Sequence, residues 1–169
     1  MLKKSRNLII VGIIVGLLGS IGIFGGIYYN AVTGLEIEVE NIYITDSSLG
    51  GTLLDPNIDV DLEIHALVSN PTILPVSIKN VQFDLYLEDE YIGDGETGTF
   101  RATKSPSDLV IVVELEDLDG IVYLEMLDLI LLGHSKTITV TITYVEVFFM
   151  ILEPNQDIDV IVEQEDILP

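Results

Sequence analysis

Two histidines, 28 carboxylates and no cysteine bound the chemistry open to this chain of 169 residues. Without cysteine there is no thiolate nucleophile, no thiolate metal site and no disulfide, so the redox compartment cannot be read from cysteine pairing. His65 occupies a polar position in an alternating segment, and His134 follows an apolar one. Neither has the partners or spacing of a Ser-His-Asp triad or a metal site, so both are expected to be structural or solvated. Serines occur in the expected loops, at Ser47, Ser48, Ser105 and Ser107, with no nucleophile elbow around them. What remains is carboxylate oxygen, a hard ligand for cations. Asp55, Asn57 and Asp59 alternate as calcium-loop ligands do, but the sixth position, which needs glycine for the turn, is Val60. Glu88, Asp89, Glu90, Asp94 and Glu96 make a second acidic cluster, which ordinary solvated carboxylates explain more simply. The expectation is a chain with no catalytic residues, no cofactor and no metal site.

The charge is distributed unevenly. Lys3, Lys4 and Arg6 precede every acidic residue, and from Ala31 onward only four basic residues stand against 28 acidic ones. Such a surface repels phosphate backbones and anionic headgroups, which argues against nucleic-acid binding. Its plain reading is solubility, eased in a salty medium by screening; its sharper reading is cation retention.

Residues 8–29 are 22 positions without a charge. At about 1.5 Å per residue, a helix of that length crosses the roughly 30 Å hydrocarbon core of a bilayer. A secretory signal peptide is the competing reading, but its apolar region usually runs about 7–15 residues before a small-residue cleavage site. Residues 27–31 offer no good site, which leaves cleavage near Gly19–Gly22 as the alternative. The basic tail at 1–7 should then be cytoplasmic and the acidic portion outside, with Tyr28 and Tyr29 at the outer interface. Gly12 with Gly16, and Gly22 with Gly26, have the spacing of small-residue contacts that would permit self-association. Residues 30–34 read as a short linker.

The rest must position whatever the surface does. Alternation at Leu35, Ile37 and Val39 slips phase to Ile42 and Ile44, which predicts a first strand over 35–45 broken near Asn41. Residues 46–57, with Gly50, Gly51 and Pro56, read as loop. Two further alternating runs, Val60 to Val68 and Val81 to Leu87, flank a connection stiffened by Pro71 and Pro75. A valine- and isoleucine-rich strand is expected over 108–115. A helix over 119–132 should follow, capped by Asp117 or Asp119 and stopped at Gly133, and lie flush against a sheet. Strands over 136–144 and near 158–162 complete the pattern. Between them, residues 145–152 are apolar except for Glu146. That run is either a strand buried on both faces or, at Phe148, Phe149 and Met150, an exposed apolar patch for a client chain or neighbouring subunit.

The combination Asn70-Pro71, Leu74-Pro75-Val76, the strand holding Tyr86, and Tyr91-Ile92-Gly93 followed by Gly95 resembles the water stress and hypersensitive response (WHy) domain of group 2 late embryogenesis abundant proteins. The resemblance covers roughly residues 35–163. It implies a mostly β, antiparallel β-sandwich of the fibronectin or immunoglobulin type with one α-helix, here preceded by one transmembrane helix, an arrangement also found in many plant members. It carries over no catalytic residues and assigns Asn70, Pro71, Leu74, Pro75, Val76, Gly93 and Gly95 a structural role. The chain differs in its glycine-interrupted segment after Tyr91 and in its acidity.

The expected organisation is a tail at 1–7, a span at 8–29, a linker at 30–34 and a β-sandwich at 35–169. The expected function is non-catalytic protection during water loss, exerted outside the cytoplasmic membrane. The alternative is a structural or accessory subunit of an envelope complex, docked through a protein partner or through self-association.

Overall fold

The computed structural model describes residues 25–52, 55–72, 74–148, 150–154 and 156–167. The tail and most of the expected span lie outside the described residues, and among those described no helix is long and apolar enough to cross a membrane. The chain enters through a helix, α1 (25–33). Among the described residues nine strands follow: β1 (Glu36–Thr52), β2 (Asp55–Ser69), β3 (Val76–Leu87), β4 (Glu90–Glu96), β5 (Phe100–Ala102), β6 (Ser107–Leu118), β7 (Lys136–Val147), β8 (Met150–Leu152) and β9 (Gln156–Val162). Between β6 and β7 lie a helix, α2 (Gly120–Leu127), and a π-helical turn, Asp128–Leu132.

The strands form two antiparallel sheets. One is β1-β2-β6. In the other, β3 and β7 are central, with β4 and β5 sharing the outer edge of β3 and β8 and β9 sharing the outer edge of β7. Apolar residues at every second position explain the pairing of the two faces. Val60, Leu62, Ile64, Ala66 and Val68 of β2 are all buried, as are Val81, Phe83, Leu85 and Leu87 of β3 and Ile138, Val140 and Ile142 of β7. Residues of both sheets meet in one large apolar cluster, into which Met126 and Leu129 descend from α2 and the π turn. A smaller cluster fills the end of the sandwich where β2 leaves and β3 begins, and it contains Ala31 and Val32 of α1.

Four features depart from the sequence expectation. Residues 46–57 are not a loop: β1 and β2 continue as a paired ribbon to Thr52 and Asp55, with Gly51 opposite Pro56. Their polar composition marks solvent exposure rather than irregular backbone, and Pro56 of β2 is tolerated because β6 pairs with β2 only from Ile58 onward, leaving that side of the ribbon with no hydrogen bond to make. The linker is helical at 31–33, because Ala31 and Val32 are wholly buried in the smaller cluster. Asp119 precedes α2 but its side chain makes no capping bond, although Gly133 does close the segment in a left-handed conformation. Finally, the helix does not lie flush: Ile121, Leu124, Leu131 and Leu132 are each more than half exposed. The phase slip expected in the first strand is present: Glu40 has no partner between the Val39–Ala66 and Asn41–His65 pairs. A second shift, which the unbroken alternation over 136–144 did not signal, lies where Ile142 gives way to Tyr144.

Candidate functional site

Five of the residues that carry the family resemblance, Asn70, Pro71, Leu74, Pro75 and Val76, lie in the connection from β2 to β3 or at its end, and Gly93 and Gly95 lie in β4. Asn70 ends β2 and is fully buried. Its Nδ2 donates to the Leu74 carbonyl at 2.7 Å, and its Oδ1 accepts from the Thr72 amide at 3.0 Å and from Thr72 Oγ1 at 2.8 Å. Its own amide donates to the Thr103 carbonyl at 2.9 Å. The side chain thus substitutes for backbone partners in a segment that crosses from one sheet to the other and cannot form a ladder. Pro71 and Pro75 are exposed and fix the backbone on either side, while Leu74 packs on the smaller cluster and Val76 is buried in it. Gly95 is a close-approach position. A Cβ there would meet the ring of Phe83 and lie 3.2 Å from Val113 Cγ2 on the facing sheet, and at Gly93 it would meet Leu115 Cδ2. These residues hold the two sheets in place; none presents a reactive group.

Four of the acidic residues considered as cation ligands, Asp59, Glu88, Asp94 and Glu96, are used in bonds within the fold. Asp59 Oδ1 accepts from the Asp117 amide at 2.8 Å, and Asn57 Nδ2 donates to Asp117 Oδ1 at 2.5 Å, tying the ribbon to the end of β6. Glu88 Oε1 accepts from the Thr137 amide, Asp94 from the Tyr91 hydroxyl and Glu96 from Asn80. Among the described residues no three His, Asp or Glu side chains converge as metal ligands. His65 contacts Glu63 Oε1 at 2.5 Å and packs edge-on against Tyr43 at a ring separation of 5.0 Å.

A polar cluster unmarked by any motif lies where the π turn meets β7. Lys136 Nζ is bound by Glu125 and by Asp128 Oδ2 at 2.6 Å, and Asp128 Oδ1 also contacts His134 Nδ1 at 2.8 Å. The Lys136 side chain is only 13% exposed. Its bonds to Asp128 and Glu125 hold the ammonium well above the ordinary lysine value, and the same Lys136 bond, followed by that to His134, holds the Asp128 carboxyl below 3.8. Glu125 and Asp128, three residues apart, therefore close as a clamp on one lysine. Its partners stand eight and eleven residues from Lys136, across the π turn, a spacing that helical periodicity does not describe.

The apolar run at 145–152 takes neither expected form in full. β7 continues to Val147 through buried Val145 and Val147, turns at Phe148, and returns as β8. Phe148 is 53% exposed, Ile151 58% exposed and Met150 half-buried; Phe149 lies outside the described residues. Ile151 belongs to the exposed set although the sequence analysis did not single it out. A shallow depression beside the tip is lined by Lys79, Glu146, Val147, Phe148, Met150 and Ile151. Lys79 Nζ donates to Glu146 Oε1 at 2.7 Å, and that bond raises the lysine's proton affinity. Across the turn, the Tyr28 hydroxyl of α1 donates to the Phe148 carbonyl at 2.6 Å. An apolar void between the sheets, bordered by Ala66, Phe83 and Val140 among others, measures about 20 Å³, less than the space of a small ligand.

The chain is thus a mostly β protein of two antiparallel sheets, with its sequence motif devoted to the crossing between them. No protein-family model matches the chain, and no curated protein matches its sequence. Among solved structures it is similar to a crystal structure of a protein from Archaeoglobus fulgidus, with a TM-score of 0.42 and 14% identity over 75% of this chain and 97% of that one. It is also similar to the solution structure of a chain described as a late embryogenesis abundant protein, with a TM-score of 0.49 and 14% identity over 90% of this chain and 84% of that one. Likeness at this level carries no activity from one protein to another.

Proposed function

We propose that the chain is a membrane-anchored, non-catalytic β-sandwich of the WHy type that displays a hydrated acidic surface outside the cytoplasmic membrane and limits collapse of neighbouring proteins during water loss. The observation that carries this reading is the charge: four basic residues against 28 acidic ones from Ala31 onward, on a fold whose buried positions are almost wholly apolar. Carboxylates in that number retain water and counter-ions at the surface and keep acidic chains apart by repulsion. The motif at Asn70 supports the family assignment because its side chain is consumed in building the sheet crossing. The uncharged run at 8–29 supports the anchor, and α1, which continues from it, is packed into the domain at Ala31 and Val32.

The purified protein should protect a labile enzyme through drying better than an equal mass of an unrelated acidic protein. Equal protection by the two would remove the proposal. The second reading, an accessory subunit of an envelope complex, is favoured by the exposed Ile121, Leu124, Leu131 and Leu132 of α2 and the π turn. It calls for a stoichiometric neighbour that co-purifies in mild detergent and is lost when Leu124 and Leu131 are replaced by serine.

A further inference from the structure

We infer that the end of the sandwich bearing the β7–β8 turn is a second membrane contact, resting in the headgroup and acyl boundary of the bilayer beside the anchor. This rests on the reading of residues 8–29 as a membrane span and adds to it a docking surface on the folded domain.

Position is the first support. Tyr28 is the penultimate residue of the expected span at 8–29, and its hydroxyl reaches the Phe148 carbonyl at 2.6 Å. The tip of the hairpin is therefore within one tyrosine side chain of the point where the span ends, the depth at which interfacial tyrosines reside. The helix cannot swing away from the domain without pulling Ala31 and Val32 out of the cluster they share with Val76, Ile78 and Val147. Surface chemistry is the second. The side chains at that tip, Phe148 and Ile151, are more than half exposed, and Met150 flanks them. Aromatic and aliphatic side chains at this depth gain the transfer free energy that drives interfacial binding.

Charge is the third support, and it separates a bilayer from the other occupants of an apolar patch. The strongly acidic portion has only four basic residues, and three belong to this end. Lys79 follows Ile78, which pairs with Val147; Arg101 pairs with Ser77; and Lys104 lies in the loop after Ala102, which pairs with Val76. The fourth, Lys136, stands at the opposite end in its clamp of Glu125 and Asp128. Among the acids at this end, Glu146 is bonded to Lys79 and Glu36 accepts from Ser69 Oγ, with Asp108 and, just after β8, Glu153 exposed nearby. Cations gathered beside an apolar tip suit phosphate headgroups, whereas the acidic remainder is repelled by them. Two attachments, the span and the hairpin, would fix the domain's orientation and keep its acidic faces turned to solvent.

The chain has no tryptophan, so a single introduced indole reports depth without background. The full chain is reconstituted in vesicles of phosphatidylcholine with a minority of phosphatidylglycerol, their acyl chains brominated either near the headgroup or deep in the bilayer. Four variants are compared: Ile13→Trp in the expected span, Phe148→Trp and Ile151→Trp at the hairpin, and Leu49→Trp on the distant ribbon, where the native side chain is 65% exposed. Insertion by about 5–10 Å predicts that at least one hairpin reporter loses about half its emission with shallow bromines and little with deep ones, while Leu49→Trp is unaffected. If Ile13→Trp is quenched but both hairpin reporters behave like Leu49→Trp, the docking surface is refuted and the anchor stands. If Ile13→Trp is not quenched, both fall. Blue-shifted hairpin emission without bromine quenching would assign the patch to a protein partner or a second copy and overturn the inference.

Discussion

Replacing Asn70 tests the physical reading of the sequence motif at its most exposed point. Asn70→Ala removes the donor to the Leu74 carbonyl and the acceptor for the Thr72 amide and hydroxyl, at a residue with no solvent access. Thr72 Oγ1 still reaches the Leu74 carbonyl at 3.2 Å, so the amide of Thr72 is the group left without its partner. At about 0.5–1 kcal/mol net for each of the three lost bonds, with about 1 kcal/mol more for an unsatisfied amide, the loss should be about 2.5–4 kcal/mol. With a urea dependence of about 2 kcal/mol per M, the unfolding midpoint of the full chain in detergent should fall by about 1–2 M at constant slope. Asn70→Asp separates hydrogen bonding from volume. It keeps the acceptor for Thr72 but turns an oxygen toward the Leu74 carbonyl and buries a charge. Burial raises the introduced carboxyl's proton affinity, so the variant should be weakest near neutral pH and regain stability as pH falls through that raised value. A midpoint shift under about 0.3 M for Asn70→Ala, or an Asn70→Asp variant indifferent to pH, would refute the claim that this side chain holds the sheet crossing.

Three other perturbations probe the rest of the structure. Gly95→Ala should cost about 1–3 kcal/mol in denaturant titration, because its Cβ would force the buried Phe83 ring toward Val113; Gly98→Ala, with nothing near the new atom, is the neutral control. Phe83→Ala should cost about 3–5 kcal/mol, whereas Phe148→Ala should stay within about 0.5 kcal/mol in detergent, and equal losses would show that the turn is core. Lys136→Met should lower the thermal midpoint at neutral pH. Because Asp128 is held below 3.8 in the fold, its share of the clamp is complete above that value and is lost as pH falls through the lowered one. The gap between parent and Lys136→Met should therefore narrow as pH falls from about 5 to about 2, and a gap independent of pH would contradict the clamp.

What the sequence revealed and what it hid divide along physical lines. Strict alternation in β2, β3 and β7 exposed the strands because the side-chain period of a sheet is local, and even the slip at Glu40 could be read from it. The ribbon at 46–57 was hidden because glycine, proline and polar side chains signal exposure, which loops and edge strands share. Hydropathy likewise overstated the burial of α2. Only Met126 and Leu129 are fully buried, with Val122, Tyr123, Leu127 and Ile130 packed partly against the core, since eight α-helical residues and a π turn present too short a face to hide every leucine they carry. Asn70 was visible as a motif, but its bonds to Thr72 and Leu74 depend on a backbone path no periodicity describes. The contact of Tyr28 with the Phe148 carbonyl joins residues far apart in the chain, and the Lys136 clamp crosses from the π turn to β7, so neither leaves a periodic spacing to find.

The central claim is topological: an anchored domain held on the far side of the membrane from its basic tail. Since the chain lacks cysteine, single Ser5→Cys and Leu49→Cys variants can be labelled in whole cells with a membrane-impermeant maleimide. The account predicts immediate labelling at position 49 and labelling at position 5 only after the cells are permeabilised. Protection of position 49 in intact cells, with labelling only on permeabilisation, would contradict it.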